Sequence, residues 1–265
     1  MEQLRIAARI PLVKLPPARF DAVMRAVAES DGTRVDAARR CIVSFGLDPD
    51  DRRRDNEKRV FRALVAPTLT RLHFARSRPP SFDAAPNGRL WYSAAPDERP
   101  AFLGQCLADL LTVRLGLSRE MLGADTLRSV LRSVDTRTED RASVFLRYLS
   151  VYPPPPTYGS RGPPAVPRPG AVRPELSQKQ GLATVRRAVH DSLLHQETVG
   201  LDAVRLRAMS SAYEGGWMVS SFVIDSLLPD LITEGKECLP MLGGTNRLDA
   251  LIYEGHTVVG LQRRF

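Results

Sequence analysis

The chain has 265 residues, 43% of them hydrophobic, enough for one large or two ordinary cores, and that content excludes wholesale disorder. Lys and Arg number 38 against 30 Asp and Glu, a formal charge of +8; no apolar run approaches the ~20 residues of a bilayer span, so no membrane-spanning segment is expected. Three widely spaced cysteines, Cys41, Cys106 and Cys238, give no disulfide framework or CxxC pair and point to a reducing, intracellular compartment. The Arg- and Lys-bearing N-terminus carries Glu2 and no serine, so cytoplasm or nucleoid and organelle matrix both stay open.

Apolar residues at helical spacing set the N-terminal half. Phe20, Val23, Met24 and Val27 mark one helix face, and Val35, Ala38, Ile42 and Phe45 a second, ended by Gly46. A third helix starts near Asp55, buries Val60, Phe61, Leu64 and Val65, and is kinked or restarted by Pro67. Leu72 to Ala75 and Arg89 to Ser93 read as paired strands joined by a loop ending in the turn signal Pro86-Asn87-Gly88. A strongly apolar helix follows with Phe102, Leu103, Cys106, Leu107, Leu110 and Leu111. Asp125 is the expected cap of a helix carrying Leu127, Val130, Leu131 and Val134, and Thr138 that of one carrying Ala142, Phe145, Leu146 and Leu149.

Residues 152–175 hold nine prolines, which cannot sustain a helix because proline lacks the N–H and fixes φ. This strap should be extended, with a reach of up to ~70 Å at ~3 Å per residue. Beyond it, Ser177 to Gln180 fits a capping box for a helix lined by Leu182, Val185, Val189 and Leu193. Leu201, Val204, Ala208 and Met209 line the next, closed by Gly215-Gly216, and a third runs from Met218 to Gly235 with a possible bend at Pro229. Leu248 to Glu254 and Thr257 to Arg263 flank Gly255-His256, a hairpin signal.

The expected fold is therefore mainly α with small β-hairpins (α+β): two helical domains, each winged-helix-like in element order, joined by a Pro-rich extended strap. The boundaries are an N-terminal domain 1–151 (winged-helix-like 18–93 plus helices 97–150), a linker 152–175 and a C-terminal domain 176–265. Three helices followed by a hairpin is the outline of winged helices, which serve nucleic-acid binders and protein-interaction modules alike.

The positive excess points to a polyanion. A GC-rich coding bias explains arginine in place of lysine, present only at Lys14, Lys58, Lys179 and Lys236, but not the excess itself. Arginine presents a planar fork of donors that fits phosphate. Candidate RNA or DNA contacts are Arg52, Arg53, Arg54, Lys58, Arg59, Arg62, Arg76, Arg78 and Arg89, with Arg186, Arg187, Arg263 and Arg264 in the C-terminal half; Arg71, Arg205 and Arg207 lie in the same stretches. The competing reading of the 50–59 cluster is local pairing with Asp50, Asp51, Asp55 and Glu57. Trp91 and Tyr92 could stack on bases, or pack in the core.

Pro155, Pro156 and Tyr158 complete a PPxY motif, which WW-type domains read in an extended proline helix and which resembles the late-budding motif of viral matrix and Gag proteins. The sequence thus suggests a non-catalytic nucleic-acid-binding component of a larger assembly, or alternatively a structural assembly protein (matrix or coat subunit, or organelle scaffold) that binds other subunits or itself.

A third alternative is a nuclease or phosphohydrolase. Glu234-Gly235-Lys236 with Asp225 or Asp230 upstream fits the ExK of PD-(D/E)XK enzymes, and His190-Asp191 the HD pair, but each lacks the remaining ligands at useful spacing. His190 and His195 are a poor i, i+4 pair, so no metal or cofactor is expected. Gly243 to Asn246 lacks the lysine of a phosphate loop.

Overall fold

The computed structural model describes residues 10–51, 55–117, 121–154, 178–193, 198–234, 247–254 and 257–264. The chain is mostly helical with small antiparallel sheets and divides into two compact units, Met1–Pro155 and Pro156–Phe265. Among the described residues no helix is long and apolar enough to cross a membrane.

The N-terminal unit begins with α1 (Phe20–Ala28), whose buried face is the expected stripe Phe20, Val23, Met24 and Val27. In α2 (Arg34–Ser44) the Thr33 hydroxyl caps the helix by accepting from Asp36 N at 3.2 Å. Its core face is Ala37, Ala38, Cys41 and Ile42; Val35, assigned to that stripe from spacing, is 80% exposed. A π-helical segment, Glu57–Val65, then runs into α3 (Ala66–Arg71). The change of helix type falls at the proline: Pro67 lacks the N–H that would carry the preceding hydrogen-bond pattern onward, and the chain resumes as α-helix around it. Buried Thr68 in α3 accepts the backbone N–H of both Lys14 and Leu15 at 3.1 Å, which ties the incoming segment to this helix.

The hairpin is not where the turn signal placed it. The strands are β1 (Ala75–Arg78) and β2 (Ser81–Ala84), with Pro79-Pro80 between them. Pro86-Asn87-Gly88 is instead the first turn of α4 (Pro86–Ser93), which carries Trp91 inward. Proline suits a first helical turn, and Gly88 lies against the Phe74 carbonyl, where no side chain fits. A backbone bridge joins Thr33, just before α2, to Ser81 of β2; Arg34 N donates to Pro80 O and Phe82 N to Gly32 O, both at 2.9 Å.

Three further helices complete the unit. α5 (Arg99–Asp109) runs into a π-helical turn, Leu110–Arg114. α6 (Ala124–Val134) starts from Gly123 rather than from an Asp125 cap, and Asp125 pairs with Arg128 at 2.6 Å. α7 (Thr136–Val151) is capped not by Thr138 but by Asp135, whose carboxylate accepts from Arg137 N at 3.0 Å. In both places the residue that leaves helical backbone first takes the capping role, and sequence spacing fixes that only to within a turn. The core converges on Phe20, whose ring meets Phe74 at 5.0 Å, Trp91 at 5.8 Å and Tyr148 at 5.8 Å, all edge to face.

In the second unit, α8 (Gln178–Leu193) is followed by a short strand, β3 (Thr198–Gly200), then α9 (Leu201–Glu214) and α10 (Ser221–Glu234), which continues past Pro229. α9 ends at Gly215, and Gly216 takes a positive φ of 85° to turn the chain. β4 (Arg247–Glu254) and β5 (Thr257–Arg264) form the expected hairpin, and the unforeseen β3 adds to β5, giving the order β3-β5-β4. The capping-box Ser177, the PPxY residues Pro155, Pro156 and Tyr158, and Gly243 to Asn246 lie outside the described residues.

Both units therefore follow one path. A helix leads to a short extended piece that pairs with the last strand; two helices and a hairpin follow. In the first unit the extended piece shrinks to the Thr33–Ser81 bridge.

Candidate nucleic-acid interface

The third helical segment of the N-terminal unit has a clear division of faces. Val60, Phe61 and Val65 are buried, while Lys58, Arg59 and Arg62 are exposed. Phe61 is locked edge to face on Phe82 of β2 at 4.9 Å, which fixes the rotation of the segment about its axis. Asp55 opens it: the carboxylate accepts from Lys58 N at 3.1 Å. Arg62 is held by Glu57, with Nε to Oε1 at 2.8 Å. No ion pair joins Lys58 or Arg59 to a carboxylate among the described residues.

The other candidate cations of this half lie on or beside the hairpin and α3. Arg76 donates across the hairpin to Asp83 at 2.9 Å, and Arg89 reaches the same carboxylate at 3.4 Å, so both are partly neutralised. Arg78 is exposed at the end of β1. Arg71 donates to the Leu12 carbonyl. Arg52, Arg53 and Arg54 lie outside the described residues. Asp50, one of the acids of that cluster, accepts from Arg39 in a two-point contact of 3.2 and 2.7 Å.

Arg34 carries no distinguishing signal in the sequence, yet it links the elements of this surface. Its guanidinium lies 5.2 Å over the Phe61 ring and donates to Ser77 Oγ of β1 at 3.0 Å. Trp91 and Tyr92 were candidates for base stacking. Trp91 is buried, with the Arg99 guanidinium 4.9 Å over its ring, and is a core residue; Tyr92 is exposed on α4.

Three arginines elsewhere are structural. Arg132 binds Glu139 through two contacts of 2.7 and 2.8 Å that tie α6 to α7, and this partner holds the Glu139 carboxyl below its ordinary value. Arg40 does the same for Asp36 within α2. In the second unit Arg205 bridges α9 to α10: Nε donates to Asp225 at 2.6 Å and Nη1 to Asp202 at 2.8 Å. Burial works against its charge, but the two carboxylates prevail and raise its pKa. Arg205 is thus a clasp and Asp225 its acceptor. Arg186, Arg187 and Arg207 are exposed, and α10 contains no Lys or Arg at all. The backbone of Arg263 and Arg264 lies in or beside β5, and nothing is described of their side chains.

Among the described residues no three His, Cys, Asp or Glu side chains come together as a metal-holding group. Gly235 and Lys236 lie outside those residues, and His190-Asp191 sits within α8. Burial pushes the Cys41 thiol up to about 12 and raises Cys106 as well, with Asp109 adding to the second shift. Both should therefore resist alkylation at pH ~8 in the native protein and label only on unfolding, because the thiolate is the nucleophile. Iodoacetamide treatment with peptide mapping reads this, and native-state labelling of either would contradict the buried positions.

The chain matches no protein-family model, no curated protein and no solved structure.

Proposed function

We propose that the N-terminal unit binds the phosphate backbone of RNA or DNA through its third helical segment, as a non-catalytic component of a larger assembly. The supporting observation is the exposed face of Lys58 and Arg59, flanked by Arg62, on the third helix of a helix–extended–helix–helix–hairpin path. That path resembles a winged helix, in which the third helix enters a groove and the hairpin lies along the backbone. Arg52, Arg53 and Arg54 immediately precede the segment in sequence, and Arg78 stands on the hairpin. Phosphate contacts of this kind confer affinity without base specificity.

The second unit follows the same path but its third helix, α10, has no cation to offer a polyanion. This favours a protein-binding role for that unit, and with the PPxY strap it supports the second reading, an assembly scaffold.

Filter binding of a labelled duplex distinguishes the two. With about three cations on phosphates, affinity should fall about forty-fold between roughly 50 and 200 mM salt, and Lys58→Ala with Arg59→Ala should flatten the slope of log K against log salt by about 2. No complex at the lower salt, or a slope indifferent to the double substitution, would overturn the nucleic-acid reading and leave the scaffold.

A further inference from the structure

The hairpin of the N-terminal unit has two chemically distinct faces. Residues directly opposite in an antiparallel pair share a face, and successive residues alternate. Ala75, Phe82 and Ala84 are buried, so with Ser77, the partner of Phe82, they form the inner face. The outer face carries Arg76 opposite Asp83 and Arg78 opposite Ser81. α4 brings Arg89 beside it, because Arg89 Nε donates to the carbonyl of Ala84, the last residue of β2, at 3.0 Å.

Two guanidinium groups meet there on one oxygen. Arg76 Nη2 lies 2.9 Å and Arg89 Nη2 3.4 Å from Asp83 Oδ2. A point approached by two N–H-bearing cations holds an anionic oxygen, and a phosphate oxygen offers the same charge and acceptor character as a carboxylate oxygen. The Arg89 contact is the longer, and its side chain is 52% exposed against 23% for Asp83. The guanidinium is therefore open to a ligand from the solvent side. An ion pair at this degree of exposure contributes little to stability, so exchanging the carboxylate for a phosphate leaves the fold intact.

We propose that the outer face of the hairpin is a second phosphate-contacting site for the same nucleic acid, closed in the free protein by Asp83, whose Oδ2 stands where a phosphate oxygen goes. The proposal rests on the reading of the third helical segment as a nucleic-acid contact. Lys58 and Arg59 bring the polyanion in, and the hairpin adds its contact when phosphate displaces Asp83. Asp83 thus limits affinity in two ways: it occupies Arg76 and Arg89, and its charge repels a phosphate beside it.

The sign of the expected effect separates this role from damage to the fold. In filter binding of a labelled duplex by the full chain, Asp83→Asn should tighten binding about five-fold at roughly 50 mM salt and steepen the slope of log K against log salt by about 1, one added phosphate contact. Asp83→Asn with Arg89→Ala should lose that gain. Asp125→Asn, which removes a carboxylate paired with Arg128 on α6, controls for net charge and should tighten binding less than about two-fold. Thermal unfolding shows that each variant is folded, and Asp83→Ser, with the same expectations, replaces the asparagine variant if that one is not. Affinity unchanged or weaker in the folded Asp83 variant, a gain no larger than that of Asp125→Asn, or a gain that survives Arg89→Ala would overturn the proposal. A slope that still responds to Lys58→Ala with Arg59→Ala would then leave the third-helix reading standing. No complex with either the native protein or Asp83→Asn at the lower salt would overturn both.

Discussion

Phe20→Ala should destabilise the N-terminal unit by about 4–5 kcal/mol, the upper end of the range for deleting a buried aromatic ring. Phe20 has no exposed surface, and its ring is the common partner of Phe74, Trp91 and Tyr148. Those rings come from β1's approach, α4 and α7, so one truncation loosens three separately positioned elements. Each edge-to-face pair contributes about 0.5–1.5 kcal/mol beyond the area it buries, and the cavity left cannot collapse without moving helices. The two tryptophans make the measurement clean, because Trp91 lies in the first unit and Trp217 in the second. In a Trp217→Phe background, urea unfolding followed by Trp91 emission should show a midpoint lowered by about 2 M with little change in slope, taking a slope of about 2 kcal/mol/M. Phe20→Leu, which keeps most of the volume, should cost about 1–2 kcal/mol. A loss below about 1 kcal/mol for the alanine variant would mean that the ring cluster does not hold the unit together.

The second large effect is expected at Gly88, from adding a single methyl group. A Cβ there falls on the Phe74 carbonyl oxygen and 2.9 Å from Met24 Cε. The methionine terminus can swing away. The carbonyl cannot, because it accepts from Ala85 N at 3.0 Å, the bond that closes the hairpin onto α4. Gly88→Ala must therefore displace α4 from the hairpin or break that bond, at about 3 kcal/mol, although alanine is the better helix former and would gain about 1 kcal/mol on an open helix. The direction is opposite to what helix propensity predicts, which makes thermal unfolding decisive: a melting temperature lower by several degrees is expected, and an increase would show that the approach is relaxed at no cost. Gly104 is confined in the same way: an added Cβ would fall on the Pro153 carbonyl oxygen and lie 3.1 Å from the Tyr152 carbonyl oxygen.

The two glycines show where local reading of the sequence ends. Gly88 follows Pro and Asn, and those three residues carry a turn's chemistry when taken alone. Only the nearness of Phe74, fourteen residues earlier in the chain, makes glycine necessary for packing and turns the triplet into a helix start. The displaced hairpin follows from this, and so does the transfer of Trp91 from a candidate base-stacking position to the core. The surface arginines have the same limit. Arg62 and Arg76 look alike in sequence to Arg59, yet each has a carboxylate within 3 Å, from the preceding turn or the opposite strand.

The sequence by itself determined the helical character of both halves, the buried stripes of α1 and α7, the glycine stop of α9 and the C-terminal hairpin. These depend on periodicity and on residues whose backbone preferences act locally. Tertiary structure alone decided that Thr33 and β3 each pair with a final strand, and which arginines are spent on carboxylates. Pairing and quenching join residues far apart in the chain, and their energy exists only after the intervening loops have closed.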